Sequence, residues 1–296
     1  MKNQNLRPWT SNAKQALPDP VVARIRDLLR GWGTLTAPWR ILPDFIVIGA
    51  QRSGTTTLYR LLSSHPQVVR PTATKGIKYF EDCYKNGQRW YRGHFPLQLT
   101  AKLLAQGEPR TFESSGFYSF HPLAAQRIAK DLPGTKLVMM LRDPVDRAYS
   151  AHRHELMRGF ESEKFERALE LEAERVEGEI ERLEQDPGYS SYNLRHHAYL
   201  LRGRYIDQIR RIHNAVGEES LYLMDADDFF SNPQEEFLAL QLWLGLEPWA
   251  PDAVPAENAQ PRAPMSEQLR QKLRSHYDSA DAELAQIMGK QPSWRR

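Results

Sequence analysis

Phe45-Ile46-Val47-Ile48-Gly49-Ala50-Gln51-Arg52-Ser53-Gly54-Thr55-Thr56-Thr57-Leu58-Tyr59-Arg60-Leu61-Leu62 is the stretch that decides the fold. Its opening run of apolar residues reads as a short strand buried on both faces. Gly49 and Gly54 bracket a loop. From Thr55 the spacing turns helical, with Leu58, Leu61 and Leu62 on one side. A strand, a glycine-bounded loop and a helix N-terminus together make an anion site, because free amides and the helix dipole converge there. Arg52, Ser53, Thr55 and Thr56 add a cation and hydroxyl donors. The plainer reading is a strand-turn-helix with an incidental arginine.

Gly49 to Gly54 has the spacing of the nucleoside-triphosphate loop G-x-x-x-x-G-K-[ST], but Thr55 stands where that motif needs its lysine. The loop suits phosphate and is poorly equipped for γ-phosphate transfer. Its cation, Arg52, lies inside the loop. Farther along, Lys136 to Arg142 forms a second buried strand, stopped by Asp143-Pro144, with a helix from Val145 to about Met157. Two strand-then-helix units predict a parallel sheet with right-handed crossovers. Leu221 to Met224 gives a third strand, and Val68-Val69 and Arg110 to Glu113 give short ones. Helices are predicted over about 21–30 (ended by Gly31), His121 to Asp131, Glu163 to Glu184, His196 to Val216, Asn232 to Leu244 (stopped by Gly245) and Glu267 to Met288, the last capped by Ser266. The fold class is α/β: one domain with a central, mostly parallel sheet flanked by helices.

The chain has 296 residues, 41% hydrophobic and 26% charged, with a net charge of +3. That charge suits an anionic ligand and is too weak to argue for nucleic acid, of which no binding signature appears. The single cysteine, Cys83, excludes an intrachain disulfide and a cysteine zinc cluster, and predicts a reducing, cytoplasmic setting. No apolar run is long enough to span a membrane, and the N-terminus lacks the apolar segment of a signal peptide. Val21, Val22, Ile25, Leu28 and Leu29 fall at helical spacing with Arg24, Arg26 and Arg30 elsewhere. That helix either docks on the domain or touches a membrane surface or a partner.

A second phosphate-directed constellation is Leu141-Arg142-Asp143-Pro144-Val145-Asp146-Arg147-Ala148-Tyr149-Ser150. Arg142 ends a buried strand, at the edge where doubly wound sheets place ligands, and Ser150 lies two helical turns on. An Arg142–Asp146 pair stabilising the turn is the competing account.

Together the two constellations resemble the sulfotransferases that use 3′-phosphoadenosine 5′-phosphosulfate (PAPS), most closely the bacterial and heparan-type carbohydrate enzymes. The resemblance covers about residues 43–294, so that residues 1–42 are read as an N-terminal extension carrying one amphipathic helix and residues 43–296 as the sulfotransferase domain with its P-loop-like fold. It implies that Gln51, Arg52, Ser53, Gly54, Thr55 and Thr56 hold the 5′-phosphosulfate, that Arg142 and Ser150 hold the 3′-phosphate, and that Arg202 and, more loosely, Arg262 lie against the nucleotide. Arg52 then stabilises charge developing on the bridging oxygen; a guanidinium cannot give up a proton, so its part is electrostatic. No metal is implied. The acceptor is a hydroxyl on a small molecule, sugar or glycolipid.

The sequence departs from the family where the base should be. Gly76 occupies the place of the catalytic Glu, Lys78 that of a neighbouring His, and Ser114 that of a substrate-contacting Lys. Glu81 is the first candidate for a relocated base, against a surface carboxylate pairing with Lys78 or Arg92; Glu113, His121, His152 and His154 are reserves. Trp90, Tyr91, Phe117 and Tyr118 are either an acceptor platform or core, and His196 and His197 read as surface or capping residues. Two other classes remain open: a P-loop kinase or NTPase, and a nucleotide-binding family member without catalysis.

Overall fold

The computed structural model describes residues 19–71, 75–251 and 265–296, without the side chains of 19–23 and 26. Four strands, β1 (Phe45–Gly49), β2 (Phe112–Ser114), β3 (Lys136–Leu141) and β4 (Leu221–Asp225), form a parallel sheet in the order β2-β1-β3-β4. The chain passes from β1 to one side for β2, then to the other side for β3. The strand order therefore reverses between β1 and β3, which is where open α/β sheets leave a crevice at their C-terminal edge. The loops that leave β1 and β3 both open into it.

The helices are α1 (Asp19–Leu35), α2 (Thr55–Ser64), α3 (Gly87–Arg92), α4 (Gln98–Leu104), α5 (Ala124–Asp131), α6 (Pro144–Met157) and α7 (Phe165–Val176) in the first part of the chain. They continue as α8 (Glu179–Gln185), α9 (Tyr192–His196), α10 (Tyr205–Val216), α11 (Ala226–Ser231), α12 (Pro233–Leu244), α13 (Glu267–His276) and α14 (Asp278–Met288). Successive residues of β1 and β3 point to opposite faces, as the pleat requires. Phe45, Val47, Val138 and Met140 pack with Leu58, Leu61 and Leu62 of α2 and Phe237 and Leu240 of α12. Ile46, Ile48, Leu137, Met139 and Leu141 pack with Ile128 of α5, Ile209 and Ile212 of α10, and Tyr91 and Phe95. Both faces are covered, which explains why these strands read as unbroken apolar runs.

Several expected boundaries move. Val68-Val69 makes only a single bridge, Val68 to Arg110. The charged run splits at Gly178 into α7 and α8. The helix expected from His196 starts only at Tyr205 as α10, after α9 ends at His196 and a 3₁₀ turn spans Leu201–Gly203. The last helix breaks at Tyr277, whose buried ring sets the junction of α13 and α14, while Ser266 caps α13 as expected by accepting from the Leu269 amide. Gly245 ends α12 in the left-handed conformation.

Helix α1 does not stop at Gly31. It continues through Gly33 to Leu35 because Gly33 is pressed against another glycine: a Cβ on Gly33 would lie 2.5 Å from the Gly93 carbonyl oxygen. Docking runs through this last turn, where Arg40 donates to the Thr36 hydroxyl (2.8 Å) and to the Phe95 carbonyl (2.5 Å). Gly33→Val is expected to lift α1 from α3, seen as faster proteolysis within residues 19–40 with nucleotide binding retained; unchanged proteolysis would contradict this docking.

Candidate active site

The loop between β1 and α2 is held at its root by the Ala50 amide, which donates to the Met140 carbonyl of β3 at 2.7 Å. Arg52 sits in the left-handed region at φ 72°, a conformation that costs a non-glycine residue about 1–3 kcal/mol and that clusters at functional loops. Gly54, at the N-cap of α2, has no side chain to satisfy the first-turn amides, so those of Thr55 and Thr56 remain available to an anion.

Arg52 turns from this loop toward α6. Its Nε donates to the Ser150 hydroxyl at 3.0 Å, across 98 residues of sequence. Arg142 Nη1 donates to the Arg52 backbone carbonyl at 3.3 Å. The two constellations of the sequence therefore meet in one crevice. Burial and the Arg142 charge both push the Arg52 pKa down, and Glu155 opposes them. The Arg142 charge disfavours that of Arg52, and a bound anion would offset this. Asp146 pairs with Arg270 at 3.0 Å, and Asp143 caps α6 by accepting from the Val145 amide at 2.8 Å. The turn is thus stabilised by Asp143, while Arg142 faces the loop.

Arg202 reaches the start of the same loop. It is buried, donates to the Gln51 side-chain oxygen and to the Leu194 and Arg195 carbonyls, and lies 4.8 Å over the Phe117 ring. Burial, with Arg147 and Arg195 nearby, lowers its pKa. It anchors the start of the loop from beneath. Arg262 falls outside the described residues.

Glu81 is not the open carboxylate that a base requires. Its side chain is 1% exposed; one oxygen accepts from the Ser115 hydroxyl at 3.1 Å and the other from Arg195 Nη2 at 2.9 Å. Burial raises its pKa and Arg195 opposes the rise. Neither Lys78 nor Arg92 is its partner. Its place is structural: Arg195 continues onto Phe117, the ring that Arg202 shares. Glu113 is fully buried and accepts from the Tyr91 and Tyr118 hydroxyls and the Ile77 amide. Tyr91 and Tyr118 are consequently core, not an acceptor platform. His121 is buried, accepts from the Leu123 amide and has its pKa pushed down to about 3 by burial and Arg127. His152 is buried beside Phe165 and bonds the Glu163 carbonyl. His196 and His197 are buried too, held by Glu155 at 2.7 Å and by Asn193 at 2.8 Å, so neither is a surface residue.

His154 differs from the other reserves. It lies one helical turn beyond Ser150 on α6, partly exposed, and burial together with the Arg52 charge lowers its pKa. It shares the side of α6 that carries Ser150. Gly76 lies against β2: a Cβ there would stand 3.0 Å from the Ser114 carbonyl oxygen, and Ser114 donates to the Lys75 carbonyl.

The sulfotransferase domain family matches residues 42–261. The chain belongs to that family. Arg52, Arg142, Ser150 and Arg202 all lie inside the matched region, and Arg262 just beyond it. Among relatives, the membrane-associated sulfotransferase kil1 of Dictyostelium discoideum is 40% identical over 111 residues, 38% of this chain and 22% of that protein. The bifunctional heparan sulfate N-deacetylase/N-sulfotransferase 1 of Caenorhabditis elegans is 28% identical over 210 residues, 69% of this chain and 22% of its own length. The chain thus spans 22% of the length of these curated relatives. A sulfotransferase from Alicyclobacillus acidocaldarius superposes with a TM-score of 0.63 at 27% identity, covering 86% of this chain and all of that one. The enzyme is a sulfotransferase built on one α/β domain with a parallel sheet.

Lys75 is the site residue that sequence reasoning missed. Its Nζ donates to the Thr56 hydroxyl at 3.2 Å, in the first turn of α2, and lies 5.4 Å from the Tyr59 ring centre. A cation thus reaches the loop from a distant segment, although Thr55 fills the usual lysine position; only the pairing across 19 residues reveals it. Burial and Arg60 push its pKa down to about 8. Affinity for 3′-phosphoadenosine 5′-phosphate is accordingly expected to fall as pH rises through about 8, where the ammonium is lost. Lys75→Met is expected to flatten that profile and weaken binding roughly tenfold or more, as for a hydrogen bond to a charged group. A steep profile retained in the variant would refute this role.

Proposed function

We propose that this sulfotransferase transfers the sulfonate group of PAPS to a hydroxyl acceptor, with a carbohydrate as the acceptor class. The observation that carries the donor reading is the convergence of Arg52, Arg142 and Ser150 in one crevice beside the amides of α2. The carbohydrate class is supported by the similarity to heparan sulfate N-sulfotransferases. A donor with two phosphorylated ends needs two cationic stations. The loop at 51–56, with Lys75, supplies one, and Arg142 with Ser150 supplies the other.

The acceptor oxygen attacks sulfur in line, the new oxygen–sulfur bond forms, and the bond from sulfur to the bridging oxygen breaks. The released 3′-phosphoadenosine 5′-phosphate takes the electron pair. Arg52 stabilises the charge that gathers on that oxygen and the phosphosulfate. Its Ser150 contact fixes the guanidinium before substrate arrives, so little reorganisation accompanies the transfer. The acceptor's proton goes to His154, one helical turn beyond Ser150 on α6, in place of the carboxylate that Gly76 lacks. Glu81 acts through Arg195 and Phe117 as a positioning residue for Arg202 and Gln51.

The test is transfer of labelled sulfonate from PAPS to a panel of mono- and oligosaccharides. Arg52→Ala is expected to lower kcat about 10²–10³-fold, the usual cost of one charge-stabilising donor. His154→Gln is expected to lower kcat about a hundredfold with donor affinity unchanged. Mg²⁺-dependent ATP binding tighter than that of the bisphosphate would overturn the donor reading. Tight bisphosphate binding without transfer to any acceptor would favour a family member that has lost catalysis at Gly76.

A further inference from the structure

The N-terminal helix carries a second surface that the donor crevice does not use. On α1, Leu28 is 71% exposed, Leu29 65%, Trp32 56% and Leu35 65%, and Trp39 just beyond is 63% exposed. At helical spacing Leu28, Trp32 and Leu35 fall in line, with Ile25 and Leu29 beside them. An apolar stripe on a soluble domain ordinarily turns inward. Here the helix is fastened through Gly33 and Thr36, at its last turn, and the stripe faces outward. Leu97 pairs with Arg40, so α4 starts next to Trp39, and it exposes Leu99, Leu103 and Leu104 as well. Exposed apolar residues grouped in this way mark an interaction site.

Charge identifies the occupant. Residues 1–42 hold seven Lys and Arg against two Asp, a net +5, whereas the whole chain carries +3; the remaining residues together carry −2. The basic excess lies in this N-terminal stretch: α1 holds Arg24, Arg26 and Arg30 against Asp19 and Asp27, and Lys2, Arg7, Lys14 and Arg40 supply the rest. Arg24 is exposed at one edge of the stripe, while Arg30 lies on the other side of α1, 3.5 Å from Asp27. Leucines and a tryptophan on one side, with a cation at the edge and a basic stretch of chain, is the arrangement of a helix that lies in the headgroup layer of a bilayer, where indole rings favour the interface and cations meet anionic lipid. No described helix is long and apolar enough to cross a membrane, so contact through α1 would be in the plane of the surface.

We propose that α1, with Trp39 and the exposed leucines of α4, docks the enzyme on an anionic lipid surface. The apolar stripe enters the interface and Arg24, at its edge, meets the lipid phosphates and carboxylates. Docking is independent of the donor crevice, because none of Leu28, Trp32, Arg24 and Arg30 touches the loop at 51–56.

The experiment is co-sedimentation of the full chain with vesicles of phosphatidylserine and phosphatidylcholine in equal parts, beside vesicles of phosphatidylcholine alone. Binding to the anionic vesicles, weakening as salt is raised, is the expected result. Leu28→Asp with Trp32→Asp is expected to abolish it, and Arg24→Gln to weaken it roughly fivefold. Both variants alter exposed side chains and should keep their affinity for 3′-phosphoadenosine 5′-phosphate, which separates lost docking from lost folding and from failure of the donor reading. No sedimentation with anionic vesicles, or undiminished sedimentation of the double variant, would overturn the proposal. So would a dimer in sizing experiments that the double variant converts to monomer, which would assign the stripe to a second copy of the chain.

Discussion

The structure depends on two arginines that converge on one loop, Arg142 grasping the backbone of Arg52. Arg52 leaves the loop after β1 and Arg142 ends β3, and they meet only because β1 and β3 are neighbours in the sheet. Like charges at this separation raise the free energy of the empty site, and desolvation adds to that cost. The sheet tolerates the arrangement because both strands are buried on two faces and anchored by a large apolar core. The left-handed backbone at Arg52 is a second strained feature in the same few residues. Strain and repulsion concentrated at one loop mark a site shaped for a ligand that supplies the missing negative charge.

Around this centre the polar side chains form a chain of support. Gln51 is held by Arg202, Arg202 rests on Phe117, Arg195 lies on the same ring, and Glu81 with Asp82 fixes Arg195. On the other side Ser150 steadies Arg52, while Tyr205 donates to the Arg142 carbonyl at 2.8 Å. Apart from the exposed Asp82 pair, each link is a buried or half-buried contact to a charged group, where hydrogen bonds are strongest and a missing partner most costly. Glu81 belongs to this support, which accounts for a carboxylate so close to the site and yet closed to an acceptor.

Much of this was legible in the sequence because it is local. The apolar run before Gly49, the Gly49–Gly54 spacing, and Arg142 eight residues before Ser150 all report on one strand-loop-helix unit each. What was not legible depends on pairings far apart in sequence. Nothing near Lys75 announces that its amine reaches Thr56, and nothing near Glu81 announces Arg195, 114 residues on. The helix break at Tyr277 was hidden for a similar reason, since its buried ring sets it, whereas that at Gly178 is a left-handed glycine that the apolar spacing running through it masks. Gly76 was read as a missing carboxylate; the fold adds that a side chain there would press on the Ser114 carbonyl, so the vacancy is matched by its surroundings.

The central claim is that two loops form one site with two separate phosphate stations. It is tested most directly by comparing Arg142→Ala with the unaltered enzyme for binding of 3′-phosphoadenosine 5′-phosphate and of adenosine 5′-monophosphate. If Arg142 serves the 3′-phosphate, the substitution lowers affinity for the bisphosphate toward that of the monophosphate and leaves the monophosphate untouched. Equal losses for both ligands, or no loss for either, would contradict the assignment of Arg142 and with it the two-station crevice.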